Sequence, residues 1–259
     1  MIQYKISFAG AGKVAGTLCL EMYKKGHLIQ KIVSARKKSG AILSTKCKAD
    51  WSDNLIFPDS TQIIIVAVPD HSLRVVLENI KCGKDTVVAH TAGSFGLGIF
   101  PENLKRRGVF YPLQTFSKER RTKINGIPLF IEFSDEHSKD LLENLAASLG
   151  ATVYYSDVEH RRLLHIAAVF VSNFTNHLFT AGNEVAAKSG FPFEVLKPLI
   201  LETVKNAFEL GPENSQTGPA ARYDLNTIEK HLELLSFSPE LKEIYNGMTK
   251  AIMHYYKKS

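Results

Sequence analysis

The segment Phe8–Ala15 constrains the fold of this 259-residue chain more than any other part of its sequence. It reads FAGAGKVA, a G-x-G-x-x-A sequence in which Gly10, Gly12 and Ala15 hold the three defining positions. A strand-like run precedes the segment, and an amphipathic helical pattern over Gly12–Lys25 follows it. This order of strand, glycine turn and helix predicts the first unit of a dinucleotide-binding fold, in which a pyrophosphate lies at the helix N-terminus.

Short apolar runs alternate with helical patterns through the first 155 residues. Two of these runs, Ile63–Val68 and Thr86–His90, are almost continuously apolar, which is typical of strands buried on both faces. The alternation predicts βαβ units and therefore an α/β Rossmann fold with a doubly wound parallel sheet. The other predicted strands are Tyr4–Ala9, Ile29–Ser34, Val109–Tyr111, Leu129–Glu132 and Thr152–Tyr155, and the other predicted helices are Ser72–Ile80 and Ser138–Leu149.

The sequence pattern changes near Ser156. Ser156 and Glu159 have the spacing of a capping box, which predicts that a helix begins there. The stretch Arg161–Lys188 contains no proline, and no strand pattern reappears after it. Further helices are predicted over Glu194–Leu210, Thr227–Leu235 and Pro239–Tyr255. We therefore predict a Rossmann domain over residues 1–155 and an all-helical domain over residues 156–259.

The residues after the second predicted strand indicate which dinucleotide is bound. The residue that contacts the adenosine ribose lies about 20 residues beyond the glycine turn, and in NAD-binding proteins it is an acid. Here the sequence is VSARKK over residues 33–38, without an acidic residue. Ser34 and Arg36 could donate hydrogen bonds to a 2′-phosphate, with Lys37 or Lys38 adding positive charge. We therefore predict NADP(H) as the cofactor; the alternative is a solvated basic turn without cofactor preference.

Several loop residues follow predicted strands at the edge where ligands bind in doubly wound folds. They are Val68, Pro69 and Asp70 after one strand, His90 and Ser94 after the next, and Gln114 after a third. We expect Val68, Pro69, Asp70 and Ser94 to border the cofactor and Gln114 to contact the substrate, and we assign no role to His90. Ordinary loop polarity would place similar residues there, so that alternative stays open.

Polar side chains form a stripe along the first long C-terminal helix, at about 100° per residue. The stripe contains Arg161, His165, Ser172, Asn176 and Asn183, with Asn173 at its edge. The other positions are apolar, so we expect this helix to be buried nearly all round. Its polar groups would then meet a ligand, neighbouring helices or a dimer partner.

His165 is our candidate acid or base, because histidine side chains titrate near neutral pH. Ser172 and Asn173 could orient a carbonyl, hydroxyl or imine group of the substrate. The segment QTGPAARYD, residues 216–224, is a second polar cluster, in which Thr217 and Arg222 could bind an acidic substrate group. Its alternative interpretation is a turn followed by a helix cap. His231 has no assigned role.

Charge and cysteine content limit the partners of the chain. The net charge is +6, but the basic residues are scattered in doublets, so we expect an anionic small molecule and no nucleic acid. No apolar run approaches the roughly 20 residues of a membrane span, and no signal peptide is evident. The three cysteines lack metal-ligand spacing, so we expect no metal site and a reducing, cytoplasmic location.

Four segments together resemble a known family. These are the loop GAGKVA, the run IIVAVPD over residues 64–70, HIAAVFVSN over residues 165–173 and TGPAAR over residues 217–222. They resemble the NADP oxidoreductases with a Rossmann-like N-terminal domain and a helical C-terminal domain of unknown function. This family belongs to the broad group of pyrroline-5-carboxylate reductase, ketopantoate reductase and the 6-phosphogluconate dehydrogenase-like β-hydroxyacid dehydrogenases.

The resemblance implies NADP(H) binding, a homodimer built by the helical domain and a cleft between the domains. The cofactor positions that it implies are Gly10, Gly12, Lys13, Val14, Ser34, Arg36, Val68 and Pro69, and the substrate positions are His165, Asn173, Thr217 and Arg222. The first C-terminal helix has no lysine before Lys188, whereas β-hydroxyacid dehydrogenases and ketopantoate reductase use a helix lysine as acid or base. Neither exact reaction is therefore transferred to this chain.

These observations predict an NADP(H)-dependent oxidoreductase that reduces a small carbonyl or imine compound, with a carboxylated substrate as one option. The alternative is a non-catalytic NADP(H)-binding module that senses the redox state.

Overall fold

The computed structural model describes residues 2–117 and 123–257. The chain forms two compact units, Met1–Asn173 and Phe174–Ser259. The change from mixed to purely helical structure comes earlier, after the last strand, which ends at Tyr155. The domain boundary predicted between residues 155 and 156 stays a prediction.

An eight-stranded sheet organises the first unit. Its strands are β1 Lys5–Ala9, β2 Leu28–Val33, β3 Asp50–Ser52, β4 Ile63–Val66, β5 Val87–His90, β6 Arg107–Pro112, β7 Pro128–Phe133 and β8 Thr152–Tyr155. Their order in the sheet is β3-β2-β1-β4-β5-β6-β7-β8. Neighbouring strands pair in parallel except β6 and β7, which are antiparallel. The sheet is mostly parallel and Rossmann-like, as predicted.

Nine α-helices accompany the strands in the described residues. They are α1 Lys13–Lys24, α2 Lys37–Cys47, α3 Asp70–Asn79, α4 Glu136–Ser148, α5 Val158–Ala168, α6 Thr175–Lys188, α7 Lys197–Glu209, α8 Leu225–Leu234 and α9 Pro239–Tyr256. A π-helical segment, Val169–Phe174, joins α5 to α6, and single 3-10 turns cover Leu97–Ile99, Phe193–Leu196 and Leu235–Phe237. Within the described part of the chain, everything after β8 is helix or loop, which confirms the helical C-terminal region.

The core of the first unit lies on both faces of the sheet. In β4, Ile63 and Ile65 join one buried cluster, whereas Ile64 and Val66 join the other. This alternation follows from the two-residue period of a strand, and it explains why the run is continuously apolar. Because β1, β4, β5 and β6 run parallel to one another, their carboxyl ends lie at one edge of the sheet.

Helix α2 and strand β3 were absent from the sequence prediction. The basic residues after Arg36 begin a helix rather than a turn, and the buried positions of this helix include small residues such as Gly40 and Ser44. A Cβ at Gly40 would lie 2.1 Å from Ser34 Oγ and 2.2 Å from Trp51 Nε1. Glycine thus lets α2 pack closely on β2 and β3. Because small residues occupy buried positions of α2, its sequence lacks a recognisable apolar periodicity.

Two predictions about the first C-terminal helix are wrong. The N-cap is Asp157, whose side chain accepts from the backbone N–H of His160 at 2.9 Å, and not Ser156. The helix is also not buried nearly all round, since Leu163 is 69% exposed and Val171 is 75% exposed. The apolar composition suggested burial, but both side chains are largely exposed within the part of the chain that the structure describes.

Candidate functional site

Gly10 forms the tight turn that the fingerprint requires. Its φ is +116°, and a Cβ would lie 2.2 Å from Ala67 O, so neither the conformation nor the space admits a side chain. Its N–H donates to Val33 O at 2.7 Å. The turn is therefore tied to β2 and pressed against the residue after β4, at the carboxyl edge of the sheet.

Gly12 leaves the start of α1 open. It is the N-cap of α1, and within the described residues no side chain caps this end of the helix. A Cβ on Gly12 would have no described heavy atom within 4 Å. The first-turn N–H groups of Lys13 and Val14 therefore remain available, and the buried Ala15 lets α1 approach the sheet. This arrangement suits a pyrophosphate, which the positive end of the helix dipole would stabilise.

Arg36 lies at the N-terminus of α2, after the end of β2. Its side chain is exposed and forms no ion pair with any described residue, and the exposed Lys37 follows it. Ser34 is buried, donates to Arg36 O at 3.1 Å and accepts from Trp51 Nε1 at 3.1 Å. The single hydroxyl hydrogen of Ser34 is thus already used, whereas the exposed guanidinium of Arg36 is open to a ligand.

The loops after β4 and β5 are joined by one hydrogen bond. Val68 and Pro69 lead into α3, whose first residue is Asp70, and Ser94 Oγ donates to Asp70 Oδ2 at 2.5 Å. Four predicted cofactor neighbours therefore lie together at the carboxyl edge. Asp70 is exposed, so its carboxylate is open to a ligand, whereas the hydroxyl hydrogen of the half-buried Ser94 is already donated to it.

His90 is enclosed by the protein and is not accessible to a ligand from solvent. It ends β5, is fully buried, and stacks on Phe100 with ring centroids 5.3 Å apart. Its Nδ1 accepts from the N–H of Ala92 at 3.3 Å. Burial lowers the pKa of His90 from its ordinary value of 6.5 to about 4, so the ring is uncharged at neutral pH. It supports the turn that carries Ser94.

Two polar residues of the helical segment contact the strand end at β6. His165 Nδ1 lies 3.3 Å from the hydroxyl of Tyr111, and Ser172 Oγ lies 3.2 Å from Thr115 Oγ1. Asn173, the next residue, has an exposed side chain. The structure therefore brings His165 to Tyr111 within β6 and Ser172 to Thr115 in the segment after it, whereas no contact of the Asn173 side chain is described there.

The predicted substrate residue Gln114 lies in that segment, with an exposed side chain whose Oε1 accepts from the N–H of Thr115 at 2.8 Å.

Tyr111 is the site residue for which sequence reasoning proposed no role. It is half-buried in β6, and burial raises the pKa of its phenol. A Cβ at Gly93 would lie 2.9 Å from Tyr111 Cζ, so the ring fits only because residue 93 is glycine. Its position directly before Pro112, at the carboxyl end of a predicted strand, was the available signal. Its contact with His165 crosses 54 residues and has no local sequence signature.

Arg161 holds the start of α5 against the sheet and the loop after β5. It is fully buried, and it donates to Ser156 O at 2.6 Å, Phe95 O at 2.9 Å and Glu132 Oε2 at 2.6 Å. Arg162, its neighbour, donates to Ser94 O at 3.1 Å. These bonds fix the helix that carries His165 relative to the loop that carries Ser94.

The continuous polar stripe predicted along this helix is wrong. The π-helical segment Val169–Phe174 widens the turn, so positions beyond it no longer follow the 100° period of an α-helix. Asn176 and Asn183 belong to α6 in the second unit, and both have exposed side chains. Arg161, His165 and Ser172 are the members with described partners in the first unit.

The late polar cluster belongs to the second unit. Asp224 caps α8, accepting from the N–H of Thr227 at 3.1 Å and from its Oγ1 at 2.7 Å. Arg222 is exposed. Thr217 borders a cavity of about 830 Å³ that is lined mainly by apolar side chains of α6, α8 and α9. His231, also at this cavity, pairs through Nδ1 with the hydroxyl of Tyr245 at 2.7 Å.

Two family models match the chain, the Rossmann-like domain over residues 2–115 and the Domain of unknown function (DUF2520) over residues 127–252. A solved structure, the putative NADP oxidoreductase from Bacteroides fragilis, shares 35% sequence identity with it. The match covers 97% of this chain and 98% of that one, with a TM-score of 0.86. The chain therefore belongs to the same family as this relative, with a Rossmann-like domain followed by a DUF2520 domain. No functionally curated protein matches its sequence.

More distant structures share the fold of this Rossmann-like/DUF2520 protein. The reductive aminase from Aspergillus terreus, solved with NADPH4, cyclohexanone and allyl amine, has 12% identity and a TM-score of 0.73, over 98% of this chain and 95% of its own. A pyrroline-5-carboxylate reductase from Coxiella burnetii has 18% identity and a TM-score of 0.59, over 99% and 98%. At these identities the likeness establishes the fold alone.

Over residues 2–117 and 123–257, no helix has the length and apolar character needed to cross a membrane. No group of three or more His, Cys, Asp or Glu side chains in these ranges could hold a metal ion.

Proposed function

We propose that this chain is an NADP(H)-dependent oxidoreductase that reduces a small carbonyl or imine compound by hydride transfer. The observation that carries the proposal is the glycine turn before α1. Gly10 lies tightly against Ala67, the residue after β4, and Gly12 leaves the N-terminus of α1 accessible. The relative from Bacteroides fragilis is named as an NADP oxidoreductase, which supports the same cofactor class here. The reductive aminase that shares the fold was solved with cyclohexanone and allyl amine, so ketones with amines are among the first compounds to test.

The cofactor would be held along the carboxyl edge of the sheet. The turn from Gly10 to Val14 would hold the pyrophosphate, and Arg36 would hold the 2′-phosphate with help from the N-terminus of α2. A charge-assisted hydrogen bond is worth about 1.5–3 kcal/mol, so Arg36 alone would favour NADPH over NADH by about tenfold or more. The residues after β4 and β5, from Val68 to Asp70 and Ser94, would border the rest of the dinucleotide.

The chain's own part in the reaction is to position the substrate and to move one proton. When NADPH is bound, its nicotinamide supplies the hydride. His165 provides the titratable group, while Ser172 and Asn173 orient the reacting group of the substrate. Gln114 would contact the substrate, and we retain Thr217 and Arg222 as candidate ligands for an anionic substrate group.

Turnover tests this proposal. NADPH oxidation is followed at 340 nm with a panel of keto acids, ketones with amines, and cyclic imines. We expect at least one class to be reduced, and we expect His165→Ala to lower kcat by about 10²–10⁴-fold, the usual contribution of general acid–base catalysis. Asn173→Ala should also lower kcat, and both variants should keep the NADPH affinity of the parent protein.

The control for turnover is His160→Ala. His160 is an exposed histidine of the same helix that pairs with Asp157, so its removal should leave kcat unchanged. Tight NADPH binding without turnover of any compound would contradict the enzyme and favour the redox-sensing alternative.

We further propose that the helical region builds a homodimer. None of the side chains of α7 is buried, and Phe208 is 88% exposed. In the second unit, the exposed large apolar side chains at the start of α6 and along α6 and α7 are Phe174, Leu178, Val185, Leu199, Leu201, Val204 and Phe208. An apolar surface of this extent marks an interface, and a second copy of the chain is the partner that the family resemblance implies.

Light scattering after size exclusion tests the dimer. The parent protein should run at twice the subunit mass, and Phe208→Glu should shift it toward the monomer because the charge would be buried at the interface. Val75→Glu is the control, since Val75 is 60% exposed on α3 in the first unit. A monomeric parent protein, or equal masses for Phe208→Glu and the parent, would contradict the proposal.

The proposed location is the reducing cytoplasm. All three cysteines are free, although the thiols of Cys19 and Cys47 lie only 3.4 Å apart in the core. An unbridged pair at this distance fits a compartment that keeps thiols reduced.

A further inference from the structure

We propose that Tyr111 gives its phenolic proton to the substrate and that His165 returns a proton to Tyr111 from solvent. This inference rests on the proposed function and changes the role of His165 from direct acid to relay. It assigns a catalytic role to a residue that no sequence motif singles out.

Tyr111 is held in one place by its surroundings. Its ring occupies the space above Gly93, where a Cβ would come within 2.9 Å of the ring. Phe130 on the antiparallel neighbour β7 lies beside the ring, with centroids 6.4 Å apart. The hydroxyl reaches His165 Nδ1 at 3.3 Å. A half-buried, packed phenol at the carboxyl edge of β6 has the fixed position that a proton donor needs.

The two partners differ in exposure, and this difference sets the direction of the relay. Burial raises the pKa of Tyr111, so the phenol holds its proton until charge develops on the substrate, and the phenolate left after donation is basic enough to take a proton back from His165. The charged groups that act on the phenol are Arg161, which lowers its pKa, and Asp70, which raises it. The side chain of His165 is exposed and exchanges protons with water. Tyr111 is thus the inner donor and His165 the outer one.

Reduction of a carbonyl or imine takes up one proton for each hydride. Hydride addition to the carbon moves the π electron pair to the oxygen or nitrogen, which takes the proton of the Tyr111 hydroxyl. The Tyr111 oxygen keeps the electrons of the broken O–H bond and takes the Nδ1 proton of the imidazolium of His165. The neutral His165 then takes a proton from water, so one solvent proton is consumed in each turnover.

The first test measures the Tyr111–His165 hydrogen bond without any reaction. Long-range ¹H–¹⁵N correlation spectra of the histidine side chains, recorded at high pH, report whether Nδ1 accepts a hydrogen bond and which ring nitrogen carries the proton. His165→Gln assigns the signal by its loss. We expect Tyr111→Phe to move the His165 Nδ1 resonance toward that of a free imidazole. An unchanged resonance would overturn the inference.

Tyr154→Phe is the matched control for this measurement. Tyr154, like Tyr111, packs on Phe130. The centroids of the Tyr154 and Phe130 rings are 5.3 Å apart, and the Tyr154 side chain is 48% exposed. Removing its hydroxyl makes the same chemical change on the other tyrosine that packs on Phe130, and we expect the His165 signal to stay where it is in the parent protein.

The second test is kinetic. Tyr111→Phe should lower kcat by about 10²–10⁴-fold while leaving NADPH affinity unchanged, and Tyr154→Phe should keep the parent rate. Gly93→Ala keeps the hydroxyl but displaces the ring, so kcat should fall there as well. A Tyr111→Phe rate within threefold of the parent, with His165→Ala slow, would make His165 the direct donor and overturn the inference. Failure of the proposed function is distinct, because the parent protein itself would then turn over no compound.

Discussion

Acid should destabilise the first unit through His90. Burial holds the pKa of this histidine at about 4 in the folded chain, whereas an unfolded histidine titrates near 6.5. Between these values the unfolded chain binds the extra proton and the folded chain does not. The stabilisation is therefore fully present above about pH 6.5 and is lost as the pH falls toward about 4.

The magnitude follows from the same two values. A tenfold difference in proton affinity is worth about 1.4 kcal/mol, so the whole interval corresponds to about 3 kcal/mol, of which about 2 kcal/mol is lost between pH 7.5 and pH 5.0. The buried His27 adds to the loss with the same sign, since burial lowers its pKa too. Other titrating groups contribute to the total, so the comparison must be made between variants.

Urea unfolding monitored by tryptophan fluorescence measures this loss. Trp51 is the only tryptophan of the chain and lies in β3, so its emission reports the first unit. His90→Gln should remove about 2 kcal/mol of the difference in unfolding free energy between pH 7.5 and pH 5.0. His71→Gln, which changes an exposed histidine of α3, should leave this difference as in the parent.

Only the pH dependence is diagnostic for His90, because His90→Gln also loses the stacking on Phe100 and lowers stability at every pH. If the parent and His90→Gln lose the same free energy between pH 7.5 and pH 5.0, the histidine is not held uncharged by burial, and the reasoning is refuted.

Two further predictions concern the glycine turn before α1 and Arg161, which holds the start of α5. Gly10→Ala should lower both NADPH affinity and thermal stability, because its Cβ would lie 2.2 Å from Ala67 O, whereas Gly12→Ala should weaken NADPH binding alone. Thermal melts and NADPH titrations of both variants check this; equal melting temperatures would contradict it. Arg161→Met should cost about 3–5 kcal/mol in urea unfolding, since it leaves Glu132 unpaired in a mostly buried site, and a loss under 1 kcal/mol would contradict that account.

The strands and most helices could be predicted because their periods are local. The run Ile63–Val66 is apolar since both faces of the sheet are covered, and the glycine loop is recognisable because its geometry tolerates few residues. Helix α2 escaped prediction because Gly40 and other small residues form its buried face. Helix α2 lies close to β3 because Gly40 has no side chain, and hydrophobic periodicity does not reveal such a contact.

The candidate site was predictable only in part. His165 and Ser172 could be selected because polar residues are unusual in so apolar a helix, and both have partners at the end of β6. Tyr111 could not be paired with His165 from sequence, since the contact crosses 54 residues. The π-helical segment also escaped prediction, because its wider turn has no distinct periodic pattern. The exposure of α7 could not be predicted either, because an apolar helix pattern does not distinguish a face buried within the chain from an exposed one.

Cofactor binding is the central claim, and paired titrations of NADPH and NADH test it most directly. Binding of each is followed by nicotinamide fluorescence with the parent protein, with Arg36→Ala, and with Lys46→Ala as a control that removes an exposed positive charge from the last turn of α2. We predict that the parent and Lys46→Ala bind NADPH at least about tenfold more tightly than NADH, and that Arg36→Ala loses this preference through weaker NADPH binding. Equal affinities of the parent protein for the two cofactors, or binding of neither, would contradict the account.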